Sequence, residues 1–202
     1  MTDCTTEPLL FSSLQRKSIQ ADFQGGKLTS DGGALLLRET DRSLGLIDAL
    51  NGCIPDPRHP FFVVHSQRTL LAQRIFGIAQ GYEDLNDHQG LREDPLFQVL
   101  CERGIQEDLP LASPPTLCRL ENRVDRKALA RMAEVFVEVF IRSHSTAPEE
   151  LILDFDPTND PVHGNQEQRF FHGYYDQYCF LPLYVFCGSQ LLVAYLRPAN
   201  ID

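Results

Sequence analysis

The sequence changes from helix-forming to strand-forming patterns at one stretch, Leu151-Ile152-Leu153-Asp154-Phe155-Asp156-Pro157-Thr158-Asn159-Asp160-Pro161-Val162-His163-Gly164. The apolar run that opens it is typical of a buried strand, and Pro157 should end that strand because proline cannot donate to a sheet ladder. Side chains alternate across a strand, so Asp154 and Asp156 should share a face, with Cα atoms about 7 Å apart. The stretch therefore predicts a strand that delivers two carboxylates near its carboxyl end, where open α/β sheets place their sites.

These two carboxylates have an ordinary structural explanation beside the functional one. Asp and Asn are common strand-end and turn residues, and that explanation needs no site. A carboxylate inside an apolar run is costly, however, unless a cation or a hydrogen-bond donor stabilises it. Asp154 lies in such a run, so we favour a functional role for Asp154 and Asp156.

The composition is that of a globular protein with an acidic balance. Of the 202 residues, 43% are hydrophobic and 23% are charged, and the formal net charge is −10. That charge alone disfavours a nucleic-acid partner, but such binding depends on local patches. No apolar run is long enough to cross a membrane, and the first residues lack the pattern of a signal peptide. The six cysteines form no C-x-x-C pair, which disfavours zinc and predicts reduced thiols in the cytoplasm.

Residues 1–146 are predicted to form a mostly helical region. Residues 1–30 are expected to be irregular, apart from a short strand and a glycine turn at 21–30. Helical periodicity then marks four segments. These are 35–50 (with Ser30 or Asp31 as the cap), 65–82 (with Gly81 at its end), 96–101 and 126–144. Three prolines and Gly52 predict a loop at 51–60.

A further helix is predicted where two prolines, at 114 and 115, set a helix start. Arg119, Asn122 and Arg123 would then share one face at helical spacing. Arg and Asn side chains can read guanine and adenine edges in a DNA groove. The same face could equally be a solvated one, since acidic residues lie among these side chains, and the spacing alone leaves both interpretations open.

Two further strands are predicted after the acidic one, at 178–186 and 191–196. The residues between them, 187–190, contain a glycine and should form a hairpin turn. The chain is therefore predicted to be α+β, with a helical amino-terminal region followed by three strands.

The pattern Asp154-x-Asp156-x-Thr158 after an apolar strand resembles the first motif of haloacid-dehalogenase-like phosphohydrolases. In that family the first Asp attacks phosphorus, the second is the acid and base, and Mg²⁺ binds beside them. Those enzymes also need a later Lys and a further acidic pair, and they carry the motif near the amino terminus. A Mg²⁺-dependent phosphohydrolase is the alternative function.

A second resemblance covers nearly the whole chain in order. It is carried by residues 28–39, 65–74, 81–88, 116–122, 153–166, 173–175 and 181–183. These segments resemble bacterial insertion-sequence DDE transposases of the DDE domain group 1. The resemblance implies a ribonuclease-H-like α/β catalytic domain over residues 147–202, and DNA-end binding by residues 1–146.

The resemblance also implies the site residues and partners. Asp156 would be the first acidic residue of an Asp-Asp-Glu triad, and Asp154 could hold or support that role. Both would be ligands of Mg²⁺ or Mn²⁺ in the full-length enzyme, where two ions activate the attacking oxygen and stabilise the leaving one. Arg119, Asn122 and Arg123 would contact the terminal inverted repeats of the transposon. The full-length enzyme would act as a homo-oligomer on DNA.

The chain departs from that family at its end. Family members are longer, and nothing in the 202 residues replaces the second Asp and the Glu, because Asp176 and Asp202 lie in the wrong contexts. We therefore expect an amino-terminal fragment with a truncated catalytic domain. Such a fragment should bind transposon ends without cutting them, so its own enzymatic activity is left open by the sequence.

Overall fold

The computed structural model describes residues 8–22, 31–103 and 109–201. Within these ranges it contains seven α-helices and eight β-strands, which confirms the predicted α+β class. The chain divides into two compact units, Met1–Ala128 and Leu129–Asp202. Residues 23–30 of the strand and glycine turn predicted at 21–30, with the predicted cap Ser30 among them, lie outside the described residues, and so does Asp202. The division at residue 146 between a DNA-end-binding region and a catalytic region stays a prediction.

The helices and strands are named here in chain order. The helices are α1 (Ala34–Leu44), α2 (Leu46–Cys53), α3 (Gln67–Ala79), α4 (His88–Leu91), α5 (Pro95–Leu100), α6 (Pro114–Glu121) and α7 (Arg126–Arg142). The strands are β1 (Leu9–Leu14), β2 (Lys17–Ala21), β3 (Leu153–Pro157), β4 (Asp160–Pro161), β5 (Phe170–His172), β6 (Gln177–Phe180), β7 (Leu183–Cys187) and β8 (Gln190–Tyr195). Short 3-10 turns lie at Pro60–Phe62 and Leu85–Asp87.

The first unit opens with a hairpin where the sequence predicts irregular chain. β1 pairs antiparallel with β2, and Gln15 in the turn has a φ of 53°. Ser12 on β1 donates its hydroxyl to Glu39 Oε2 on α1 at 2.5 Å. Pattern analysis misses both strands because each has a mixed composition. The residue that Ser12 binds, Glu39 on α1, is also distant in sequence.

The single helix predicted at 35–50 is in fact two helices, α1 and α2. Gly45 separates them with a φ of 68°, a left-handed conformation that glycine adopts without steric cost. The N-cap of α1 is Gly33, with no side-chain cap bond. Asp31, the described one of the two predicted caps, instead accepts a hydrogen bond from the Tyr82 hydroxyl at 3.0 Å.

The other predicted helices lie within a few residues of their expected bounds. α3 starts after Ser66, whose Oγ accepts from the Thr69 backbone N–H at 3.0 Å. Gly81, with a φ of 89°, follows its end. α7 is capped by Asp125, whose Oδ1 accepts from Ala128 N at 2.7 Å, and it ends two residues before the predicted bound. Local capping signals explain this agreement.

A buried amide joins α3 to the segment before α6. Gln73 is fully buried, its Nε2 donates to the Ala112 carbonyl at 2.9 Å, and its Oε1 accepts from Ala112 N at 3.0 Å. Gln73 Nε2 also lies 3.4 Å from Nδ1 of His88, which is fully buried as well. A buried backbone amide outside regular structure needs such partners, so this contact fixes where α6 begins.

Gly77 lies where α3 touches His88. A Cβ at this position would lie 2.7 Å from His88 Cε1 and 2.9 Å from Nε2. Because the buried ring has little room to move, we expect Gly77→Ala to lower the free energy of unfolding by about 1–3 kcal/mol in urea unfolding. Gly52→Ala in α2 is the control, since a Cβ there meets nothing within 4 Å. Gly52→Ala should raise the free energy of unfolding by about 0.5–1 kcal/mol. Similar effects of Gly77→Ala and Gly52→Ala would contradict the steric argument.

The second unit contains two three-stranded antiparallel sheets, in the orders β3-β7-β8 and β4-β6-β5. The strand predicted at 178–186 is two strands, β6 and β7, which lie in different sheets. Pro182 lies at the break, and it cannot donate to a ladder. β4 and β5 are additional to the three predicted strands. A small core of Cys179, Leu181 and Ala199 holds this region, with Tyr175 packed against it.

Candidate functional site

β3 positions the two predicted carboxylates by a regular ladder with β7. Asp154 lies opposite Phe186 and Asp156 lies opposite Tyr184, without a bulge between them. Residues two apart on a regular strand point the same way, so both carboxylates lie on one face of the sheet. β3 and β7 pair antiparallel, and Asp156 lies next to Pro157, the last residue of β3.

The burial predicted for this strand is wrong. All five residues of β3 are exposed, including Phe155 at 61%, and Ile152 just before it is 75% exposed. β3 lies at the edge of its sheet, with β7 as its single neighbour among the described strands. Asp154 is therefore not desolvated, and the argument that burial demands a cation fails. The case for these carboxylates rests on their shared face and on the sequence resemblance.

The residues that follow β3 include a buried side-chain oxygen without a partner among the described residues. Thr158 N donates to the Pro182 carbonyl at 3.0 Å, which fixes the exit of the strand. Asn159 Oδ1 is buried and has no hydrogen-bond partner among the described residues. Carboxylate and amide oxygens are the hard ligands that Mg²⁺ prefers. Within the described ranges, however, no group of three or more His, Cys, Asp or Glu could hold a metal ion. The oxygen atoms of Asp154 and Asp156 are of the type that Mg²⁺ binds, but they are too few to complete its coordination sphere.

The predicted DNA-binding residues lie at the end of α6, in the first unit. Arg119 is exposed, and its Nη2 donates to Thr116 Oγ1 at 3.1 Å. Asn122 is the C-cap, and its amide donates to the Cys118 carbonyl at 2.9 Å. Arg123 lies past the helix end, so the three side chains do not form one helical face. Their role in DNA binding stays a prediction.

Arg123 belongs to a charged cluster that the sequence analysis missed. Its Nη2 donates to Gln67 Oε1 at 2.6 Å, and its Nη1 lies 3.4 Å from Asp56 Oδ1. Arg58 binds both oxygens of Asp56, through Nε at 2.8 Å and Nη2 at 2.7 Å.

The Arg58 hydrogen bonds are the largest cause that lowers the pKa of Asp56, to about 2. The carboxylate therefore stabilises the fold above its ordinary pKa of 3.8, and this contribution is lost as pH falls towards 2.

His65 contacts two arginines, Arg58 and Arg103, next to this cluster. Its Nδ1 lies 3.0 Å from Arg103 Nη1, and its carbonyl accepts from Arg58 Nη1 at 2.9 Å. Burial lowers the pKa of His65, and the charges of Arg103, Arg92 and Arg58 lower it further. The three arginine charges near His65 indicate a positive local potential, in contrast to the acidic chain as a whole.

This cluster escaped sequence analysis because its members come from separate segments of the first unit. One local signal was present in the loop at 51–60 and just beyond it. Phe61 and Phe62 directly follow the three prolines of that loop.

Comparison with known proteins identifies the family. The model described as Transposase DDE domain group 1 matches residues 11–202. The chain therefore belongs to the DDE domain group 1 transposases, as the sequence resemblance implies. No curated protein and no solved structure matches the chain. The phosphohydrolase alternative receives no support from these comparisons.

Proposed function

We propose that this chain recognises transposon ends and supplies the first catalytic carboxylate of a transposase that cuts and joins DNA. The observation that carries the proposal is the pair Asp154 and Asp156, exposed on one face of β3 in a chain that the family model matches over residues 11–202. An exposed carboxylate pair on a sheet is accessible both to a cation and to a phosphodiester.

In this proposal the β3-β7-β8 sheet begins a ribonuclease-H-like catalytic domain. Its support is a sheet of three antiparallel strands with the acidic strand at one edge, and a second edge of β3 that bonds to no described strand. An open edge can accept another strand. A strand added there would make β3 an inner strand and would bring further side chains beside Asp156.

Asp156 is the proposed primary ligand for Mg²⁺ or Mn²⁺, with Asp154 as its support. When bound, the ion would polarise a phosphoryl oxygen and lower the pKa of an attacking hydroxyl. This proposal assigns the second Asp and the Glu of the triad to none of these 202 residues. The chain alone would then bind ends without cutting them, and the complete enzyme would act as a homo-oligomer in the cytoplasm.

The first unit is proposed to bind the inverted repeats that flank the coding sequence. We expect Arg119→Ala to weaken binding to a duplex of that repeat by about 1–3 kcal/mol, because Arg119 is exposed and free to meet a base edge or a phosphate. Gel shifts or fluorescence anisotropy would measure this, and binding should fall steeply with added salt. Arg16→Ala, at an exposed hairpin turn, should have little effect.

Arg123→Ala should differ from Arg119→Ala in one respect. Removing Arg123 also breaks its contacts with Gln67 and Asp56, so both DNA affinity and thermal stability should fall. Arg119→Ala should leave the melting temperature unchanged. A wild-type chain that gives no shift with the inverted repeat at low salt would contradict end binding.

A further inference from the structure

The 3-10 turn Pro60–Phe62 presents two aromatic side chains next to each other. Phe61 is 86% exposed and Phe62 is 78% exposed, and their rings lie 5.7 Å apart, edge to face. A single exposed apolar side chain is ordinary, but adjacent exposed large rings indicate an interaction surface. Neither ring contributes to the core of the first unit.

This turn is fixed in shape by its own backbone. Pro60 starts it, Phe62 N donates to the His59 carbonyl at 3.0 Å, and Phe61 N donates to His59 Nδ1 at 3.3 Å. The His59 ring packs against the Phe62 ring at 5.6 Å. Because the backbone of the turn is ordered before any partner arrives, binding through it loses little backbone entropy.

A charged depression adjoins the turn. Its lining comprises Asp56, Arg58, Pro60, Val63, Val64, Ser66 and Gln67. Arg123 reaches this lining through its bonds to Gln67 and Asp56. Asp56 is the one carboxylate in contact with Arg58 and Arg123 among the described residues. Two guanidinium groups against one carboxylate leave the depression positive, although the chain carries a net charge of −10.

We propose that the Pro60–Phe62 turn contacts DNA at unpaired or unstacked bases, with Phe61 and Phe62 stacking on the bases while Arg58 and Arg123 face the adjoining phosphates. DNA combines an anionic backbone with planar base faces, which matches rings bordered by arginines. Aromatic side chains stack on unpaired bases irrespective of sequence, and apolar wedges can open a base step. The inference rests on the proposed function, because it adds a second DNA contact to the unit that carries Arg119.

The test compares two 30-base-pair DNA duplexes of identical sequence, taken from the inverted repeat, one of which has five central mismatched pairs. Fluorescence anisotropy would measure the affinity of the 202-residue chain for each. We expect the wild type to bind the mismatched duplex about tenfold more tightly, since stacking on a base changes affinity by about fivefold or more. Phe61→Ala/Phe62→Ala should lose this preference and bind the paired duplex within about twofold of wild type.

Two control variants make the result specific. Phe61→Tyr/Phe62→Tyr keeps both rings and should keep the preference. Leu10→Ala removes a 79% exposed apolar side chain elsewhere in the first unit and should also keep it. Because both phenylalanines are exposed, the double alanine variant should melt at the wild-type temperature.

The other outcomes separate the inference from the proposed function. If the double alanine variant keeps the preference, this inference is wrong, whereas end binding by the first unit stands. If the wild type binds neither duplex at low salt, the proposed function fails and the inference fails with it. If the double alanine variant keeps the preference but loses self-association in sedimentation velocity, the turn is a protein interface and not a DNA contact.

Discussion

Asp156→Asn should abolish metal-dependent strand cleavage by a transposase that contains this chain, with a rate loss of about 10³-fold or more. Asparagine keeps the shape of the side chain but removes the charge that holds a divalent cation. A metal ion stabilises the transition state by several kcal/mol, and each 1.4 kcal/mol or so is a factor of ten in rate. End binding should stay within about twofold of wild type, because Asp156 belongs to the second unit and the proposed DNA-binding residues to the first.

The assay is cleavage of a duplex that carries the inverted repeat, with Mg²⁺ or Mn²⁺, beside gel shifts on the same duplex. Asp154→Asn should be milder, and the reverse order of severity would transfer the primary role to Asp154. Asp176→Asn is the control: Asp176 is an exposed carboxylate of the same unit, and its φ of 51° suits asparagine. Full cleavage by Asp156→Asn would refute the site.

The 202-residue chain should show no cleavage under the same conditions. Its two strand carboxylates do not form a complete ligand set with other described residues. If the chain alone cuts DNA in a metal-dependent reaction that Asp156→Asn removes, then the proposal that the chain alone lacks a complete ligand set is wrong.

Arg38→Ala should cause the largest loss of stability, about 3 kcal/mol of unfolding free energy. Arg38 is 1% exposed and forms ion pairs with Glu39 at 3.1 Å and Glu102 at 2.9 Å. Its Nη1 also donates to the Ser12 carbonyl at 3.1 Å, so one guanidinium joins the hairpin, α1 and the end of α5. Removing one partner of a buried ion pair leaves uncompensated charge, which typically costs about 3–5 kcal/mol. The lower value applies here because Glu39 and Glu102 retain partial contact with water.

Arg42→Ala is the matched control for that prediction. Arg42 also contacts Glu102, at 3.2 Å, but its side chain is 41% exposed. An exposed ion pair contributes about 0–1 kcal/mol. Guanidinium chloride unfolding would compare the two variants, and hydrogen exchange over Leu9–Ala21 would report whether the hairpin is released. Equal losses for Arg38→Ala and Arg42→Ala would contradict the buried role of Arg38.

The family could be identified from sequence because its motifs are contiguous and lie in order along the chain. Helices and strands whose ends carry local sequence signals could also be predicted from the sequence. The two prolines at 114 and 115 start α6, Ser66 caps α3, and Pro157 ends β3, each at or near the predicted position. The split of α1 from α2 at Gly45 and the break at Pro182 also had local signals, but helical periodicity and an apolar run concealed them.

The sequence by itself therefore determined the α+β class, the family, the position of the acidic strand and the shared face of Asp154 and Asp156. These properties depend on interactions over a few residues, where backbone geometry and side-chain alternation suffice. The tertiary structure alone decided that β3 is an exposed edge strand, that Arg38 is buried between the hairpin and α5, and that Arg123 meets Asp56 and Gln67. Burial and ion pairing depend on which distant segments pack together. An apolar run such as the one in β3 indicates that a strand can be buried. Only the packing of distant segments decides whether it is, and here β3 stays exposed.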